Sequence, residues 1–450
     1  MHIGQVGMGY VGLLSAAYFA LDGNQVICYD TDSKVVQSLR DGTPKSGEFL
    51  SYLQTDINRL VKNGRIVPTE KFEFLQYCDA YFLSVPTERK DLPFMNIVEE
   101  CVIKIVSYFS KEDFKPLIII ESTLTPGTTE KIVSELKQKN FNIDEHYYLA
   151  VAPRRDWFAD EQKNLTTLKR VVGGCSELST NNAVAIIQQI CPQIQKTTAE
   201  IAEMTKSVEN ALLNVQVSLI ENLACIYPHL NMNKVVDLAT NGHWRLNPLH
   251  LGAGIGGRCI PLSIDYLNKG TNNNYNYLLD EIKNADIAYR NTIVDVVYEH
   301  AVKMCENIPN IPVVKIGILG VGYRKDFKDI GNSPGLYFAS ELEKESTYFI
   351  TKYNKAFDVQ VFDPLFTIEE IHNLEHNYFD YSKGWDILVL AAPHTYFMEN
   401  FDDFLKSRNS IECNPSVIID TYGQWENNFE FLKELNIKYI RVGNANWKNV

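Results

Sequence analysis

The sequence predicts an α/β protein with two doubly wound parallel-sheet domains that flank a central helical region. Short apolar strands alternate with helical segments through roughly the first 200 residues, and a second alternation begins near residue 314. A long helix is predicted between them, over residues 201–228. Strands that alternate with helices are typical of parallel sheets with crossover helices. We therefore expect three regions, at residues 1–200, 201–305 and 312–450.

Composition limits the possible partners. The chain has 450 residues, 45% of them hydrophobic, and a formal net charge of −13. This acidic balance argues against binding to nucleic acid or to an anionic membrane surface, but it does not exclude a small anionic ligand. The most apolar long segment is interrupted by polar residues such as Gln216 and Glu221, so we expect no membrane span.

The cysteines indicate the redox compartment. There are nine, scattered along the chain, without a CxxC pair. An odd number of dispersed cysteines fits a reduced, cytoplasmic protein, and we expect no metal site. The N-terminus is apolar but has no basic region before it, which argues against a signal peptide.

The N-terminal segment has the pattern of a dinucleotide-binding unit. A strand at residues 2–6 leads into Gly7, Gly9 and Gly12, then a helix at 13–21, then a strand at 25–29 that ends at Asp30. Glycines at this spacing let a pyrophosphate approach the helix N-terminus, and the acid would bind the ribose hydroxyls, which favours NAD over NADP. The alternative is a generic strand-to-helix turn. The residues expected to bind NAD are Gly7, Gly9, Tyr10, Val11, Gly12, Asp30, Lys34, Thr87 and Thr123.

Three further apolar strands end in polar residues. Strands at 80–85, 117–120 and 147–151 are followed by Thr87, by Thr123 and by Arg154. Ligands of open parallel sheets bind at the carboxyl ends of strands, so these side chains are candidate ligand contacts. Solvated loop positions are the alternative for each of them.

The central helix combines an apolar sequence with three polar residues on one face. Apolar residues fall on nearly every side, which predicts a buried helix. Lys206, Asn210 and Asn214 are four apart and share a face. A buried lysine needs a partner or a substrate, and an ion pair with amide hydrogen bonds is the alternative to a functional role.

Cys259 follows a glycine-rich turn at residues 251–258. Such a setting suits a reactive thiol better than a packed one, although a buried structural thiol is the alternative. Another helix is predicted at 276–305 and a linker at 306–312. Strands at 359–362, 387–391 and 417–419 complete the second domain, so the fold class is two Rossmann-like doubly wound parallel-sheet domains around a helical middle.

Six motifs occur along the chain in a fixed order: GMGYVG at 7–12, ESTLTPGTT at 121–129, AEMTKSVEN at 202–210, GIGGRCIP at 254–261, GVGYRKDFKDIGNSP at 320–334 and DP at 363–364. Together these motifs resemble the UDP-glucose/GDP-mannose dehydrogenase family, nearer the branch that includes UDP-N-acetylmannosamine dehydrogenases. The resemblance covers nearly the whole chain.

The resemblance implies that the protein uses NAD to oxidise the C6 alcohol of a nucleotide sugar to a carboxylate. A UDP-sugar is the expected substrate. Cys259 would form a thiohemiacetal and then a thioester, which suits a thiolate nucleophile. Lys206 and Asn210 would stabilise oxyanions, and Thr123 would position a water. The central helical region would be a dimerisation region of a homodimer or larger oligomer. The implied substrate-binding residues are Arg154, Lys206, Asn210, Arg245 (reaching across a dimer), Gly256 and Arg324.

Several positions depart from the family pattern. Arg154 stands where the family has Glu, Ser263 where it has Asp, and Arg324 where it has Lys. The usual arginines at positions 331 and 422 are Gly331 and Tyr422. The first oxidation and NAD binding are expected to be intact. Two functional alternatives remain: a variant with altered thioester release or an unusual acidic substrate, and a catalytically silent sugar-nucleotide-binding paralogue.

Arg154 and His394 each have a separate expected role. Arg154 is expected to contact an anion, either a carboxylate or a phosphate of a ligand. The alternative is an ion pair with a nearby acid such as Asp156 or Asp160. His394 is expected to be a nucleotide-site or structural histidine rather than a base.

Overall fold

The computed structural model describes residues 1–43, 53–155, 164–241, 249–270, 277–307, 313–353, 356–406 and 416–449. The chain divides into two compact units, one of Met1–Asn210 with Asp265–Asn274 and one of Ala211–Ile264 with Tyr275–Val450. Two of the division points fall inside helices, namely Ala199–Ile226 (α7) and Cys259–Lys269 (α9). The three-region boundaries expected from the sequence therefore stay a prediction.

The first unit is built on a mostly parallel sheet. Within the described residues it has eight strands in the order β10-β9-β8-β7-β4-β1-β2-β3, and only the β8–β9 pair is antiparallel. The strands, with the short β5–β6 hairpin, are β1 His2–Val6, β2 Gln25–Tyr29, β3 Ile66–Thr69, β4 Ala80–Leu83, β5 Glu88–Arg89, β6 Leu92–Pro93, β7 Leu117–Ile120, β8 Tyr148–Val151, β9 Arg170–Gly174 and β10 Ile194–Thr198. The helices are α1 Tyr10–Leu21, α2 Ser33–Arg40, α3 Gln54–Lys62, α4 Asn96–Phe109, α5 Thr128–Gln138 and α6 Glu177–Ile187, with a 3-10 turn at Phe72–Tyr77.

Strands β4 and β7 are buried along their whole length, as sheets covered on both faces require. The order 3-2-1-4 puts β1 between β2 and β4, so the crossovers leave β1 in opposite directions. Ligands bind at such a switch point, beyond the carboxyl ends of the strands. The predicted dinucleotide-binding unit is therefore confirmed in its architecture.

The second unit repeats this architecture with a six-stranded parallel sheet in the order β13-β12-β11-β14-β15-β16. Its strands are β11 Val313–Leu319, β12 Ala356–Phe362, β13 Asn377–Tyr378, β14 Ile387–Leu390, β15 Ser416–Asp420 and β16 Ile437–Arg441. The helices from the central region onward are α7 Ala199–Ile226, α8 Met232–Thr240, α9 Cys259–Lys269, α10 Tyr277–Asn307, α11 Pro334–Tyr353, α12 Ile368–Asn373, α13 Thr395–Glu399, α14 Phe401–Lys406 and α15 Phe429–Glu434, with 3-10 turns at Tyr381–Lys383 and Glu426–Asn428. Among the helices of the described residues, none is long and apolar enough to cross a membrane.

The two sheets share the same close packing of a helix on the turn that follows β1 in one and β11 in the other. A Cβ atom on Gly12 would lie 2.0 Å from the Gly7 carbonyl oxygen, and a Cβ on Gly335 would lie 2.0 Å from the Gly320 carbonyl oxygen. Only glycine permits such an approach. Thirteen residues separate Gly320 from α11, however, whereas α1 begins directly after Gly9.

The prediction that α7 is buried all round is wrong. Its apolar stripe is exposed in the single chain, with 37–57% of each residue accessible: Ile201, Met204, Val208, Leu212, Val215, Leu219 and Ile226. The buried positions of the helix are small or polar instead: Ala202, Glu203, Ser207, Ala211, Asn214, Ser218, Glu221 and Ala224. From Ile201 to Leu219 the stripe repeats every three or four residues, and Ile226 follows two turns later, so these residues lie on one face of the helix.

Candidate active site

The glycine-rich turn after β1 is shaped to hold a dinucleotide. Gly7 has φ +86°, and a Cβ there would lie 2.4 Å from the Ser84 carbonyl oxygen. A Cβ on Gly9 would meet nothing within 4 Å, so the backbone before α1 is open to a ligand. Tyr10 and Val11 begin α1, whose free N–H groups favour a phosphate. These residues fit the pyrophosphate of NAD.

Asp30 lies at the end of β2 beside this turn. Its Oδ2 accepts a hydrogen bond from the Met8 backbone N–H (2.8 Å), and its Oδ1 accepts one from the Asp32 N–H (2.9 Å). The carboxylate is half-buried, and it is held at the edge of the site by backbone donors. This is where an acid must lie to bind a ribose. Lys34 follows in the exposed first turn of α2, which Asp32 caps.

Thr87, after β4, is buried and pairs with a tyrosine that the sequence analysis did not identify. The Thr87 Oγ1 lies 2.8 Å from the Tyr266 hydroxyl, which also donates to the Thr87 carbonyl oxygen at 3.1 Å. Tyr266 belongs to the segment of α9 that packs in the first unit. No sequence pattern connects residues so far apart in the chain.

Glu121, the first residue of the ESTLTPGTT segment, is the centre of a buried charge cluster. Its carboxylate accepts hydrogen bonds from the hydroxyls of Ser15 and Ser84 (2.8 Å to each) and from the Arg170 guanidinium. Arg154 Nη1 lies 3.6 Å from the same carboxylate. One buried acid is thus surrounded by two guanidinium groups, which offset the cost of burying its charge.

Arg154 is consequently buried beneath α1. Its Nη1 donates to the Val11 carbonyl oxygen (3.0 Å) and to the Ser15 hydroxyl (2.5 Å). Within the described residues, Arg154 lies beside the Glu121 carboxylate. The alternative partners Asp156 and Asp160 lie outside those residues, so an ion pair with either of them stays a prediction. The predicted substrate contact of Arg154 stays a prediction.

Thr123 lies in the half-buried loop between β7 and α5. The end of this loop is attached to α7 by Glu203, whose two carboxylate oxygens accept from the backbone N–H groups of Gly127 (2.8 Å) and Thr129 (2.7 Å). Burial raises the pKa of Glu203, although these hydrogen bonds oppose the rise. Glu203 therefore connects the Thr123 loop to the helix that carries Lys206.

Lys206 belongs to a row of three charged side chains. Its Nζ lies 4.0 Å from Glu209 Oε2, while Glu209 Oε1 lies 2.6 Å from Arg155 Nη2. The lysine is only partly buried, so a reacting group could reach it. Glu209 was missed by the sequence analysis, although its position three residues after Lys206 on a helix could have indicated it. Asn210 follows on the same half-buried face.

Cys259 is the first residue of α9. Among the described cysteines it is the one that is exposed to solvent. The N-terminus of a helix favours a thiolate. Asn214 Nδ2 donates to the Ile260 carbonyl oxygen (3.2 Å), and the Ser263 hydroxyl donates to that same oxygen (2.6 Å). Asn214 is thus a neighbour of the cysteine turn, and Ser263 is buried and bonded within its own helix.

The glycine loop before Cys259 packs against the loop between β11 and α11. A Cβ on Gly256 would lie 2.5 Å from Tyr323 Cβ, so this glycine allows the loop to lie flat on the tyrosine. The Gly257 N–H donates to the Gly331 carbonyl oxygen at 2.8 Å. The Arg258 side chain crosses Gly331, where a Cβ would lie 2.9 Å from Arg258 Cγ. Position 331 therefore has no room for the arginine that the family pattern would place there.

Arg324 follows Tyr323 in the same half-buried turn, and its guanidinium lies 3.9 Å from the centre of the Phe327 ring. Burial raises the pKa of Tyr323, and the nearby Asp329 and Cys259 add to the rise while Arg324 opposes it. The second unit thus brings Cys259, Tyr323 and Arg324 into one neighbourhood.

His394 is a structural histidine in this structure. Its ring is buried, its Nε2 lies 3.0 Å from Asp363 Oδ2, and its Nδ1 accepts from the Asp326 backbone N–H at 2.9 Å. Arg245, Asp156 and Asp160 lie outside the described residues.

Comparison with known proteins agrees with this architecture. The NAD binding domain of the UDP-glucose/GDP-mannose dehydrogenase family matches residues 1–193, and the central domain of the same family matches residues 200–287. Together they cover more than half of the chain. The chain belongs to the UDP-glucose/GDP-mannose dehydrogenase family.

Individual relatives extend over almost the full length. A UDP-N-acetyl-D-mannosamine dehydrogenase of Methanocaldococcus jannaschii is 29% identical over 92% of this chain and 91% of its own. A UDP-N-acetyl-D-glucosamine 6-dehydrogenase of Salmonella typhi is 26% identical over 88% of this chain and 90% of its own. The solved structure of a UDP-D-ManNAc dehydrogenase from Pyrococcus horikoshii superposes with a TM-score of 0.82 at 25% identity, covering 99% of this chain and 100% of that one.

Family membership establishes the reaction class. The chain is an NAD-dependent oxidoreductase of the nucleotide-sugar dehydrogenase type, and its first unit is the NAD-binding domain of that family. The open backbone at Gly9 and the carboxylate of Asp30 fit that cofactor.

Proposed function

We propose that this protein oxidises the C6 alcohol of a UDP-sugar to the carboxylate through a covalent intermediate on Cys259. The observation that carries the proposal is the position of Cys259, which is exposed, at a helix N-terminus and directly after a glycine loop. The names of the relatives suggest an N-acetylated hexosamine as the sugar.

NAD supplies the hydride acceptor for each of the two oxidations. We propose that Gly7, Gly9, Gly12 and Asp30 bind one NAD at a time and orient it, with Tyr10, Val11, Lys34 and Thr87 around it. The first oxidation converts the alcohol to an aldehyde. The Cys259 thiolate then adds to the aldehyde carbon and forms a thiohemiacetal, and the second oxidation turns that group into a thioester.

Lys206 and Asn210 are proposed to stabilise the oxyanions, with Glu209 keeping the ammonium group oriented. A positive charge contributes most when the negative charge develops in the transition state. Thr123 is proposed to position the water that hydrolyses the thioester and regenerates the thiol. Arg154, Arg245, Gly256 and Arg324 are the proposed contacts to the sugar nucleotide.

Slow thioester release is a second element of the proposal. The two positions where family members have a carboxylate near this chemistry are Arg154 and Ser263, and both side chains are engaged within the protein. Fewer carboxylates would then be available to act as a general base for the water that hydrolyses the thioester. A burst of NADH before slow turnover, with an acyl adduct on Cys259 by intact-protein mass, is the expected signature.

The experiment is a screen of UDP- and GDP-sugars for NADH formation, with mass analysis of the product. Two NADH per sugar and a free uronic acid are expected for the right substrate. NADH with an aldehyde product would show that the second oxidation fails. No NADH from any nucleotide sugar, with retained sugar-nucleotide binding, would support the silent paralogue instead.

We also propose a homodimer built on α7, in a reduced cytoplasmic setting. The exposed apolar stripe of α7 is a large hydrophobic face that a second copy would cover. Replacing Leu212 and Leu219 with glutamate should convert the dimer to a monomer in analytical ultracentrifugation. Leu178→Glu, at an exposed leucine on α6, is the matched control. A monomeric wild type would contradict this proposal.

A further inference from the structure

We infer that Asp286, together with Glu221 and Arg290, positions the loop that presents Cys259. All of these groups lie in the second unit and outside the residues assigned to the reaction above. The inference rests on the proposed function in one respect, namely that Cys259 is the nucleophile.

The contact between Asp286 and the loop is direct. Asp286 Oδ1 accepts a hydrogen bond from the Ile255 backbone N–H at 2.7 Å. Ile255 lies four residues before Cys259, in the middle of the glycine loop. Hydrogen bonds to a charged acceptor are stronger than those between neutral groups, so this bond is a firm attachment for the loop.

Arg290 holds the carbonyl group of the same residue. Its Nη2 donates to the Ile255 carbonyl oxygen at 2.6 Å, and Asn332 Nδ2 donates to that oxygen at 2.7 Å. Arg290 Nε also lies 3.0 Å from Asp286 Oδ2, one helical turn earlier on α10. Both polar atoms of Ile255 are therefore bound by a single ion pair.

The glycine at 254 is required by this arrangement. It has φ +111°, and a Cβ there would lie 2.6 Å from Arg290 Nε and 3.1 Å from Asp286 Oδ1. A side chain at this position would push the loop away from α10. The glycine loop is thus fitted to the ion pair, and its path into α9 depends on that fit.

Glu221, on α7, is a second buried acid that faces Asp286. Its residue surface is 1% exposed. Burial, followed by repulsion from Asp286, raises the pKa of Glu221 well above its usual value. Burial also raises the pKa of Asp286, while Arg290, the Ile255 N–H and Glu221 oppose that rise.

A loop held in this way matters for a covalent mechanism because the nucleophile must lie within reaction distance of the carbon it attacks. A shift of about 1 Å can cost about 100-fold in rate. We therefore expect Asp286→Asn to lower kcat by about tenfold or more, while KM for NAD stays within about twofold, because NAD binds in the other unit.

The decisive readout needs no substrate. Iodoacetamide alkylation of Cys259, followed by peptide mass spectrometry, reports the setting of the thiol directly. Asp286→Asn should change that rate by about threefold or more, whereas Asp295→Asn, at an exposed acid on the same helix, should leave it unchanged. Equal alkylation rates and equal kcat in wild type, Asp286→Asn and Asp295→Asn would overturn the inference.

Two more variants cover the case in which Asp286→Asn does not fold. Asn332→Gly removes one exposed donor to Ile255 and keeps the left-handed backbone that Asn332 adopts (φ 44°), so it should change the alkylation rate in a folded protein. Glu221→Gln keeps a donor to Asp286 and should alkylate as the wild type does. An unchanged rate in Asn332→Gly would then count against the inference. Because alkylation is independent of turnover, a wild type that oxidises no nucleotide sugar would overturn the proposed function and leave this test intact.

The pH dependence of stability gives an independent measurement. The titratable and charged groups that face Glu221 are Asp286, Arg290, Tyr289, Cys225 and Tyr422. A raised pKa in the folded state means that stability is fully present below the unfolded pKa, about 4.3, and is lost as pH rises toward the folded pKa. The melting temperature of the wild type should therefore fall relative to Glu221→Gln as pH rises above that value. Parallel curves would show that Glu221 is not protonated in the folded protein.

Discussion

The backbone N–H of Met8 donates a hydrogen bond of 2.8 Å to the carboxylate of Asp30. The second unit has a counterpart, since the N–H groups of Val321 and Gly322 donate to Asp363 at 2.8 Å. Asp363 is fully buried and also bonded to His394, whereas Asp30 remains half-buried at the edge of its turn. Of these two acids in the described residues, only Asp30 in the first unit is therefore accessible enough to bind a ribose.

Asp30 should make the enzyme prefer NAD. Its carboxylate would accept hydrogen bonds from the ribose hydroxyls and repel the 2′-phosphate of NADP, so kcat/KM should favour NAD by about 100-fold. Asp30→Asn should reduce that ratio, and Asp41→Asn, at the end of α2, should not. Equal use of both cofactors by the wild type would contradict this assignment.

Cys259→Ser should lower NADH production by about 1000-fold or more, while nucleotide-sugar binding measured by calorimetry survives, because a serine hydroxyl is far less ionised than a thiol. Cys101→Ser is a suitable control, since burial raises the pKa of Cys101 to about 11 and makes that thiol inert. Wild-type turnover in the Cys259 variant would remove this residue from the mechanism.

Lys206→Ala should reduce kcat by about 100-fold with a smaller effect on KM, because contacts to an oxyanion act mainly in the transition state. Glu209→Gln should reduce kcat less, since it weakens the 4.0 Å contact that orients the ammonium group but leaves the charge in place. Steady-state kinetics with saturating NAD would test both variants. A higher KM with unchanged kcat would instead identify Lys206 as a ground-state binding residue.

Arg154→Met should destabilise the protein. The change leaves Glu121 with Arg170 as its remaining guanidinium and leaves the Val11 carbonyl oxygen without this donor. We expect a loss of about 3 kcal/mol of unfolding free energy, as for other buried pairs from which one partner is removed. Arg59→Met, at an exposed pair with Asp56, should cost less than about 1 kcal/mol. A raised KM for the nucleotide sugar with unchanged melting temperature would support the substrate contact expected from the sequence.

Asp363 should contribute stability that is lost in acid. Burial alone would raise its pKa, but hydrogen bonds from His394 and from the backbone outweigh burial and hold the pKa below its usual value. A lowered pKa means that the stabilisation is present above the unfolded pKa, about 3.9, and disappears as pH falls through the folded pKa. Denaturant unfolding of wild type and Asp363→Asn should therefore differ near neutral pH and converge toward pH 3. A constant difference would show that the carboxylate charge is not involved.

The local sequence was sufficient for the architecture and for the cofactor. Strands such as Leu117–Ile120 are apolar along their whole length. The dinucleotide-binding turn is recognisable from the spacing of Gly7, Gly9, Gly12 and Asp30, because its geometry depends on residues that are near one another in the chain. The family resemblance predicts Cys259 as the nucleophile from its motif, and that role stays a prediction. These features were predictable because each depends on residues that are close in the chain or on a contiguous motif.

Contacts between residues far apart in the chain decided which face of α7 is buried and which charged residues form pairs. The apolar content of α7 predicted burial, but only the packing of neighbouring elements showed that the small and polar face is covered and the apolar stripe is exposed. Arg154 lies beside Glu121, and Ile255 is bound by Asp286 and Arg290 from a separate helix. Which charges meet is decided by tertiary packing, because a buried charge pairs with whichever partner the fold brings within hydrogen-bond distance, regardless of separation along the chain.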